Sequence, residues 1–465
     1  MSAPTVLIMA AGEGTRMRSK LPKVLHPVCG RPMVSWPILA AREAGAGRIA
    51  VIVSSDRDIS PALPDGVETV VQPEPDGTGG ALRSATELID GSGTVVVLSG
   101  DHPLVSAEVI SALLEAHRSS GAAATVMTTD LDDPGSYGRI VRDGSGDVER
   151  IVEAKPPTDA TPDELAIREI NTGTYVFESE PLADALGRIT NDNSQGEYFL
   201  GDVLPVLRAS GLRVAAHREP DAGVNLGIND RADLALATAE TRRRILVDHM
   251  RAGVTIIDPA ATWIDAGIEI EPDAIVEPGC SLRGATRVGR GSVIGPHSTV
   301  IDSTIGAGAS VVHSYLVDCE VLDGCTVGPF TYLRPETRLG EGAKAGAFVE
   351  IKKSRIGEGA KVPHLSYIGD AEIGEDANIG AGTITANYDG IRKHRTVIGD
   401  HVRIGVDTSL VAPVNIGDAA YTGAGSVITS DVPPGALGIT RPRQENIEGY
   451  TEKRAKEANE EGTDS

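Results

Sequence analysis

Aromatic side chains are scarce: Trp, Tyr and Phe number 2, 9 and 4, or 3% of 465 residues. Burial must therefore come from aliphatic side chains, and a core built on large planar rings is excluded. Cysteine is equally sparse. Cys29, Cys280, Cys319 and Cys325 form no C-x-x-C pair and have no histidine at zinc-finger spacing. A disulfide scaffold is thus unsupported, and small buried thiols in a reducing compartment are expected. Apolar runs of about 18 residues are absent, and Met1-Ser2-Ala3-Pro4-Thr5 leads into a short apolar segment without a basic n-region. The expectation is a cytoplasmic protein with no membrane contact. Positive charge is also in deficit: 43 Lys and Arg against 66 Asp and Glu give a net charge of −23. Such a field repels polyanions and argues against nucleic acid as a partner, while leaving room for a basic pocket that takes a small phosphate.

Glycine, at 54 residues, is abundant, and the patterns around it divide the chain. From Val6 to about Asn225, short aliphatic strands such as Val6–Met9, Ile49–Val53 and Val95–Leu98 alternate with helical stretches near Pro32–Ala44 and Gly79–Ile89. This alternation predicts a Rossmann-like α/β domain with a mainly parallel sheet and ligands at the strands' carboxyl ends. Between Asp230 and Arg251 apolar residues fall near one helical face, which predicts a linking helix with Arg242-Arg243-Arg244 on its solvated side.

Beyond Gly267 the period becomes six. Val321, Val327, Leu333, Leu339, Ala345 and Ile351 keep that spacing, as do Ile398, Ile404, Leu410, Ile416, Thr422 and Ile428. A hexapeptide repeat is the mark of a parallel β-helix, with the aliphatic residue on the narrow axis and glycines serving the corners through positive φ and close coil stacking. Such a prism has no room for Phe or Trp, which accounts for their scarcity. Its flat faces suit symmetric assembly, and a homotrimer is expected. The segment Thr383–Thr396 breaks the repeat and predicts a projecting loop. The predicted division is 1–229 for the α/β domain, 230–251 for the linking helix, 252–450 for the β-helix and 451–465 for a charged, disordered tail.

Two constellations carry chemistry. Met9-Ala10-Ala11-Gly12-Glu13-Gly14-Thr15-Arg16, with Lys23 following, is a glycine turn after a strand; its N–H groups can wrap a triphosphate while Arg16 and Lys23 neutralise charge. It matches neither a Walker loop nor a dinucleotide fingerprint. In the β-helix, His364 stands in company with Arg334, Glu350, Lys352, Tyr367 and Asn378. A neutral imidazole suits removal of a proton from an attacking amine.

Gly-x-Gly-Thr-Arg-Met with Leu-Pro-Lys, Gln72 with Gly77-Thr78-Gly79, Ser99-Gly100-Asp101 and Tyr137-Gly138-Arg139 resemble the sugar-1-phosphate nucleotidyltransferases. Ile151-Val152-Glu153, Glu169–Gly173 and the hexapeptide half extend the likeness to the whole chain except its tail. They resemble the bacterial bifunctional N-acetylglucosamine-1-phosphate uridyltransferase/glucosamine-1-phosphate N-acetyltransferase family. The resemblance implies a left-handed prism, assembly in threes, and acetyl transfer from acetyl-CoA to glucosamine-1-phosphate followed by uridylyl transfer from UTP. Met9, Ala10, Ala11, Gly12, Lys23, Gln72, Gly77, Thr78, Ser99, Gly100, Asp101, Gly138, Glu153, Asn171 and Asn229 are then nucleotide and sugar contacts. Asp101 and Asn229 hold Mg²⁺. His364 becomes the general base with Glu350 as its orienting partner, and Arg334, Lys352, Tyr367 and Asn378 bind the acetyl acceptor. Ala381, Asn387, Tyr388, Val406, Ala424 and Arg441 contact acetyl-CoA. Four positions depart from the family pattern: Gly80, Ser99, Gly201 and Val406. The alternative is a sugar-1-phosphate nucleotidyltransferase with a single activity and a β-helix that only assembles or regulates.

Overall fold

Strand Thr5–Met9 shows how the first half is built. Val6 and Ile8 enter one buried cluster while Leu7 enters another, because successive strand residues point to opposite faces. The computed structural model describes residues 3–155, 158, 160–193 and 195–461. Two units emerge: Met1–Val247 with Ile264–Ala266, and Asp248–Trp263 with Gly267–Ser465.

In the first unit the main sheet runs Val214–Arg218, Ala124–Asp130, Glu169–Glu178, Thr94–Ser99, Thr5–Met9, Arg48–Ser54, Glu68–Gln72. Glu169–Glu178 is antiparallel to its neighbours and the rest of the path is parallel. Helices Ser35–Glu43 and Ala107–Ser120 contribute Ile38, Ile110 and Leu113 to one face. Leu82, Leu186 and Leu207 from the helices on the other side pack with Leu7, Ile52 and Phe177. The helix expected over Gly79–Ile89 is two, Thr78–Arg83 and Thr86–Ile89. The Thr86 hydroxyl donates to the Arg83 carbonyl at 2.7 Å and ends the first segment.

Helix Arg231–Arg251 follows. Arg243 and Arg244 pair with Glu240 at 2.7 and 2.9 Å, and Arg244 with Asp221 at 2.8 Å, so these arginines are tied to carboxylates of the surface.

The second unit is a left-handed β-helix of three parallel faces with 11, 10 and 9 strands. Apart from the last pair of the first face, strands pair with the third one along, as in Tyr332↔Glu350↔Tyr367 on the 10-stranded second face. Leu333, Ile351 and Ile368 stack inward at 0% exposure. Glycine performs both tasks expected of it at the corners, with positive φ at Gly295, Gly308, Gly328 and Gly342 among others, but it shares the first task. Positive φ is adopted repeatedly by other types, including Asp302, His313, Asp318, Phe330, Phe348 and Leu365. Glycines that follow the inward aliphatic also serve stacking: a Cβ on Gly340 would lie 2.8 Å from the backbone of the next coil.

The loop is shorter than its sequence suggests. Ile384–Ala386 is a prism strand, with Thr385 buried in the inward position and accepting from Gly369 N–H at 2.7 Å. A satisfied hydroxyl has replaced the aliphatic there, so the projecting segment is 387–395. The tail, expected to lack order, carries a helix over Tyr450–Glu461 that is exposed through residue 458. Helix-forming Glu, Lys and Ala with an Arg454–Glu457 pair at 3.8 Å account for it, and residues 462–465 lie outside the described ones. No helix among the described residues is long and apolar enough to cross a membrane.

Candidate functional sites

Parallel pairing of Met9 with Ser99 brings two strand ends side by side, so the glycine turn and Gly100-Asp101 meet at one rim. A cleft of about 590 Å³ opens there, lined by Met9, Ala10, Ala11, Gly12, Arg16, Lys23, Gln72, Gly77, Thr78, Ser99, Asp101 and Asn229 among others. Lys23 Nζ donates to Asp101 Oδ2 at 2.5 Å, Ser99 Oγ donates to Asp101 Oδ1 at 2.7 Å, and Arg16 donates to Asn229 Oδ1 at 2.8 Å. Burial pushes the Asp101 carboxyl up, but the charges of His102 and Lys23 and the hydrogen bonds from Lys23 and Ser99 outweigh it and hold it down at about 2. Burial keeps His102 itself below its ordinary value, so Lys23 carries this attraction at neutral pH.

Carboxylate and amide oxygens form a hard donor set suited to a divalent cation, with phosphate oxygens and water completing its shell. Both oxygens face cationic side chains in this structure, so the position accommodates positive charge. The turn's Glu13 side chain is solvent-exposed.

Gly138, Glu153 and Asn171 form a neighbouring cluster. The ladder shifts register between Asn171 and Tyr175, and Asn171 Nδ2 donates to Tyr175 OH at 2.7 Å. A Cβ on Gly138 would stand 2.8 Å from Ile151 and 3.5 Å from Glu153 Oε1, which leaves room only for glycine. Burial raises the Glu153 carboxyl, reinforced by Asp202 and Glu197 and opposed by Lys155. The cleft also takes in Lys155 and Glu197, which the sequence reading missed. Lys155 stands two residues beyond Glu153, the spacing that puts side chains on one side of an extended chain, and that was the available signal.

In the second unit three of the residues expected to bind the acetyl acceptor, Arg334, Lys352 and Tyr367, lie along the outer side of the second face. Arg334 Nη1 donates to Glu350 Oε1 at 2.8 Å, Lys352 pairs with Asp370 at 3.2 Å, and Asn387 Nδ2 donates to Asp370 Oδ2 at 2.5 Å. Lys393 from the loop is held below its ordinary value by Lys352, with Arg334 adding to the effect. Three cations drawn together in this way form a setting for a phosphate. Glu350 is therefore not the orienting partner of His364: Arg334 holds it, and no hydrogen bond to the His364 ring occurs among the described residues. Tyr367 shares the second face, whereas Asn378 lies on the 11-stranded first face.

His364 stands at the corner between first and second faces, and residues expected to meet the coenzyme continue from it coil by coil. Gly382 N–H donates to His364 O at 3.4 Å, Asp407 N–H to Ala381 O at 2.7 Å and Gly425 N–H to Val406 O at 2.8 Å. Arg441 Nη1 then donates to Ala424 O at 3.1 Å. His364, Ala381, Val406 and Ala424 thus climb one edge at about 4.8 Å per coil. Tyr388, 61% exposed, sits in the loop. A cavity of about 770 Å³ adjoins this site at Asp370 and Lys393 and is bordered further by Arg338, Lys353, Arg355, Glu320, Glu336 and Glu372.

Phosphate-handling groups at the carboxyl end of an α/β sheet, in a chain that continues into a hexapeptide prism with its own histidine, define a nucleotidyltransferase fused to an acyl-transfer β-helix. A model of the nucleotidyl transferase family matches residues 5–270. Proteins named "Bifunctional protein GlmU" match nearly end to end. The one from Corynebacterium efficiens is 46% identical over 97% of this chain and 94% of its own length. Those from Kineococcus radiotolerans and Streptomyces avermitilis are each 49% identical, over 96% and 97% of this chain and 91% and 94% of their own lengths. The chain belongs to the bifunctional GlmU family of nucleotidyl transferases. It is an enzyme with uridyltransferase and acetyltransferase activities that acts on small molecules and uses a divalent metal ion.

Proposed function

We propose that residues 252–450 acetylate glucosamine-1-phosphate and residues 1–229 convert the product to UDP-N-acetylglucosamine, with 230–251 as the link. At the prism, Arg334, Lys352 and Lys393 clamp the sugar phosphate and Tyr367 orients the amino sugar. His364 Nε2 or Nδ1 takes the proton as the amine attacks the thioester carbonyl, and the coenzyme thiolate departs. The edge through Ala381, Val406 and Ala424 supports the pantetheine arm. Asn387 holds the loop by its bond to Asp370, while Tyr388 and Arg441 receive the coenzyme.

At the first site, Gly12 and the turn's N–H groups wrap the triphosphate, and Gln72, Gly77 and Thr78 read the uracil. Gly138, Glu153 and Asn171 hold N-acetylglucosamine. Asp101 and Asn229 would hold Mg²⁺, which would supply positive charge to offset that of the phosphates. The sugar phosphate oxygen attacks the α-phosphorus in line and pyrophosphate leaves, so no protein nucleophile is needed. Arg16 and Lys23 move from Asn229 and Asp101 to phosphate oxygens.

The observation that carries this reading is the pairing of Arg16 with Asn229 and Lys23 with Asp101, two phosphate cations resting on the two oxygens of one cation position. Replacing Asp101 by Asn tests it. Pyrophosphate release should fall by about 100-fold while coenzyme A release persists; equal loss of both contradicts it.

We also propose a homotrimer. Phe330, Phe348 and Leu365 leave an apolar ridge 55%, 60% and 62% exposed, and Asn378 lies around a corner from Tyr367. A neighbouring copy would cover the ridge and bring its Asn378 to the sugar. Free, buried thiols support a cytoplasmic setting.

A further inference from the structure

Gln72 and Asp76 form a device that the departure at Gly80 makes possible. Gln72 is 6% exposed, and its Nε2 donates to Asp76 Oδ1 at 2.8 Å and to Gly77 O at 3.1 Å. Both partners are acceptors only, so the amide end facing them has to be the NH₂ group. Its carbonyl Oε1 is thereby fixed in the opposite direction. A flipped amide would set oxygen against oxygen twice. Asp76 itself is anchored by Tyr198 N–H donating to its carbonyl at 2.8 Å.

The carboxylate occupies space that only glycine at position 80 leaves open. A Cβ on Gly80 would lie 1.8 Å from Asp76 Oδ1 and 2.2 Å from Asp76 Cγ. The clash would be with the far end of a flexible side chain, so it would displace the carboxylate without rebuilding the backbone. Gly77 fixes the other acceptor. Its φ of +102° suits glycine, and a Cβ there would be 2.6 Å from Tyr198 O.

We infer that Asp76 is a positioning residue that locks the Gln72 amide with Oε1 outward, making the site select a uracil base over cytosine. Uracil presents N3–H, a donor that Oε1 accepts, whereas cytosine presents an unprotonated N3 that meets Oε1 as acceptor against acceptor. Without the lock the amide turns over and greets cytosine with its NH₂ group. The inference rests on the reading of Gln72 as the group that meets the base.

The test measures pyrophosphate release with N-acetylglucosamine-1-phosphate and Mg²⁺, varying UTP or CTP, in the full chain and four variants. Asp76→Leu and Gly80→Ala should each lower the UTP:CTP ratio of kcat/KM by about tenfold with an unchanged unfolding midpoint. Asp76→Asn, whose carbonyl can still accept, should retain more of the ratio than Asp76→Leu. Gln72→Met should abolish the preference. A collapse in Gln72→Met with a wild-type ratio in Asp76→Leu overturns the role of Asp76 alone. A wild-type ratio in Gln72→Met overturns the reading of Gln72 itself. If Asp76→Leu does not fold, Gly80→Ala decides, and an unchanged ratio there overturns the proposal.

Discussion

Lys23 and Asp101 form an ion pair of 2.5 Å with side chains only 13% and 18% exposed, at the position assigned to a divalent cation. Taking Lys23 away leaves a mostly buried carboxylate without its partner. Lys23→Met should cost about 1–3 kcal/mol in the absence of divalent metal. Added Mg²⁺ should then raise the unfolding midpoint more in the variant than in the wild type, because ion binding restores the missing charge and no longer has to displace the lysine. Equal shifts in both proteins would show that the cation binds away from Asp101.

Arg139 is 3% exposed, and its guanidinium donates to the carbonyls of Pro134, Gly135, Tyr137 and Leu165. It ties down the turn that delivers Gly138 to the sugar cluster. Arg139→Lys loses the fork that reaches several carbonyls at once. KM for N-acetylglucosamine-1-phosphate should rise about tenfold with little change in KM for UTP. Equal increases in both would assign Arg139 to general stability.

Buried histidines set the acid response of the first unit. His117 is 2% exposed, with Thr125 Oγ1 2.8 Å from Nδ1 and Glu178 Oε1 3.0 Å from Nε2. Burial holds its imidazole below the ordinary 6.5, against the opposing pull of Glu178, and burial with Arg231 does the same to His26. Below 6.5 the unfolded chain therefore binds more protons than the folded one. Stability is present in full above that value and is lost as pH falls. Thermal midpoints should decline from about pH 7 to about pH 5, and His117→Gln should flatten the slope. An unchanged slope would exclude His117 as a contributor.

Much of this was legible in the residues, and the exceptions have physical causes. The six-residue period located the prism axis because an inward position tolerates little but aliphatics, and Leu333, Ile351 and Ile368 are fully buried. The same rule overextended the loop, because Thr385 meets its hydroxyl's demand inside the prism and so breaks the pattern without breaking the coil. Corner glycines such as Gly308 and Gly342 do adopt positive φ, but Asp318 and Phe348 adopt it too, which was not legible because backbone strain leaves no periodic trace when neighbouring coils fix it. Gly80 was visible as a departure, but the Asp76 carboxylate that fills its place was not, because sequence shows a lost side chain and not its replacement.

The Phe330–Phe348 stack, with ring centroids 5.2 Å apart, predicts the consequence of charging the ridge. Phe348→Glu should break the proposed trimer into smaller species in sedimentation, with acetyl transfer lost and uridylyl transfer kept. A trimer that survives the substitution would place the interface on another surface.

The central claim is that two separable chemistries reside in one chain, and His364→Ala tests it most directly. Wild type and variant are given glucosamine-1-phosphate, acetyl-CoA, UTP and Mg²⁺, and coenzyme A and pyrophosphate are followed separately. The variant should release neither product under these conditions, yet form pyrophosphate at the wild-type rate once N-acetylglucosamine-1-phosphate is supplied. Wild-type release of coenzyme A by the variant would contradict the assignment of His364, and loss of pyrophosphate from the preformed substrate would contradict the separation of the sites.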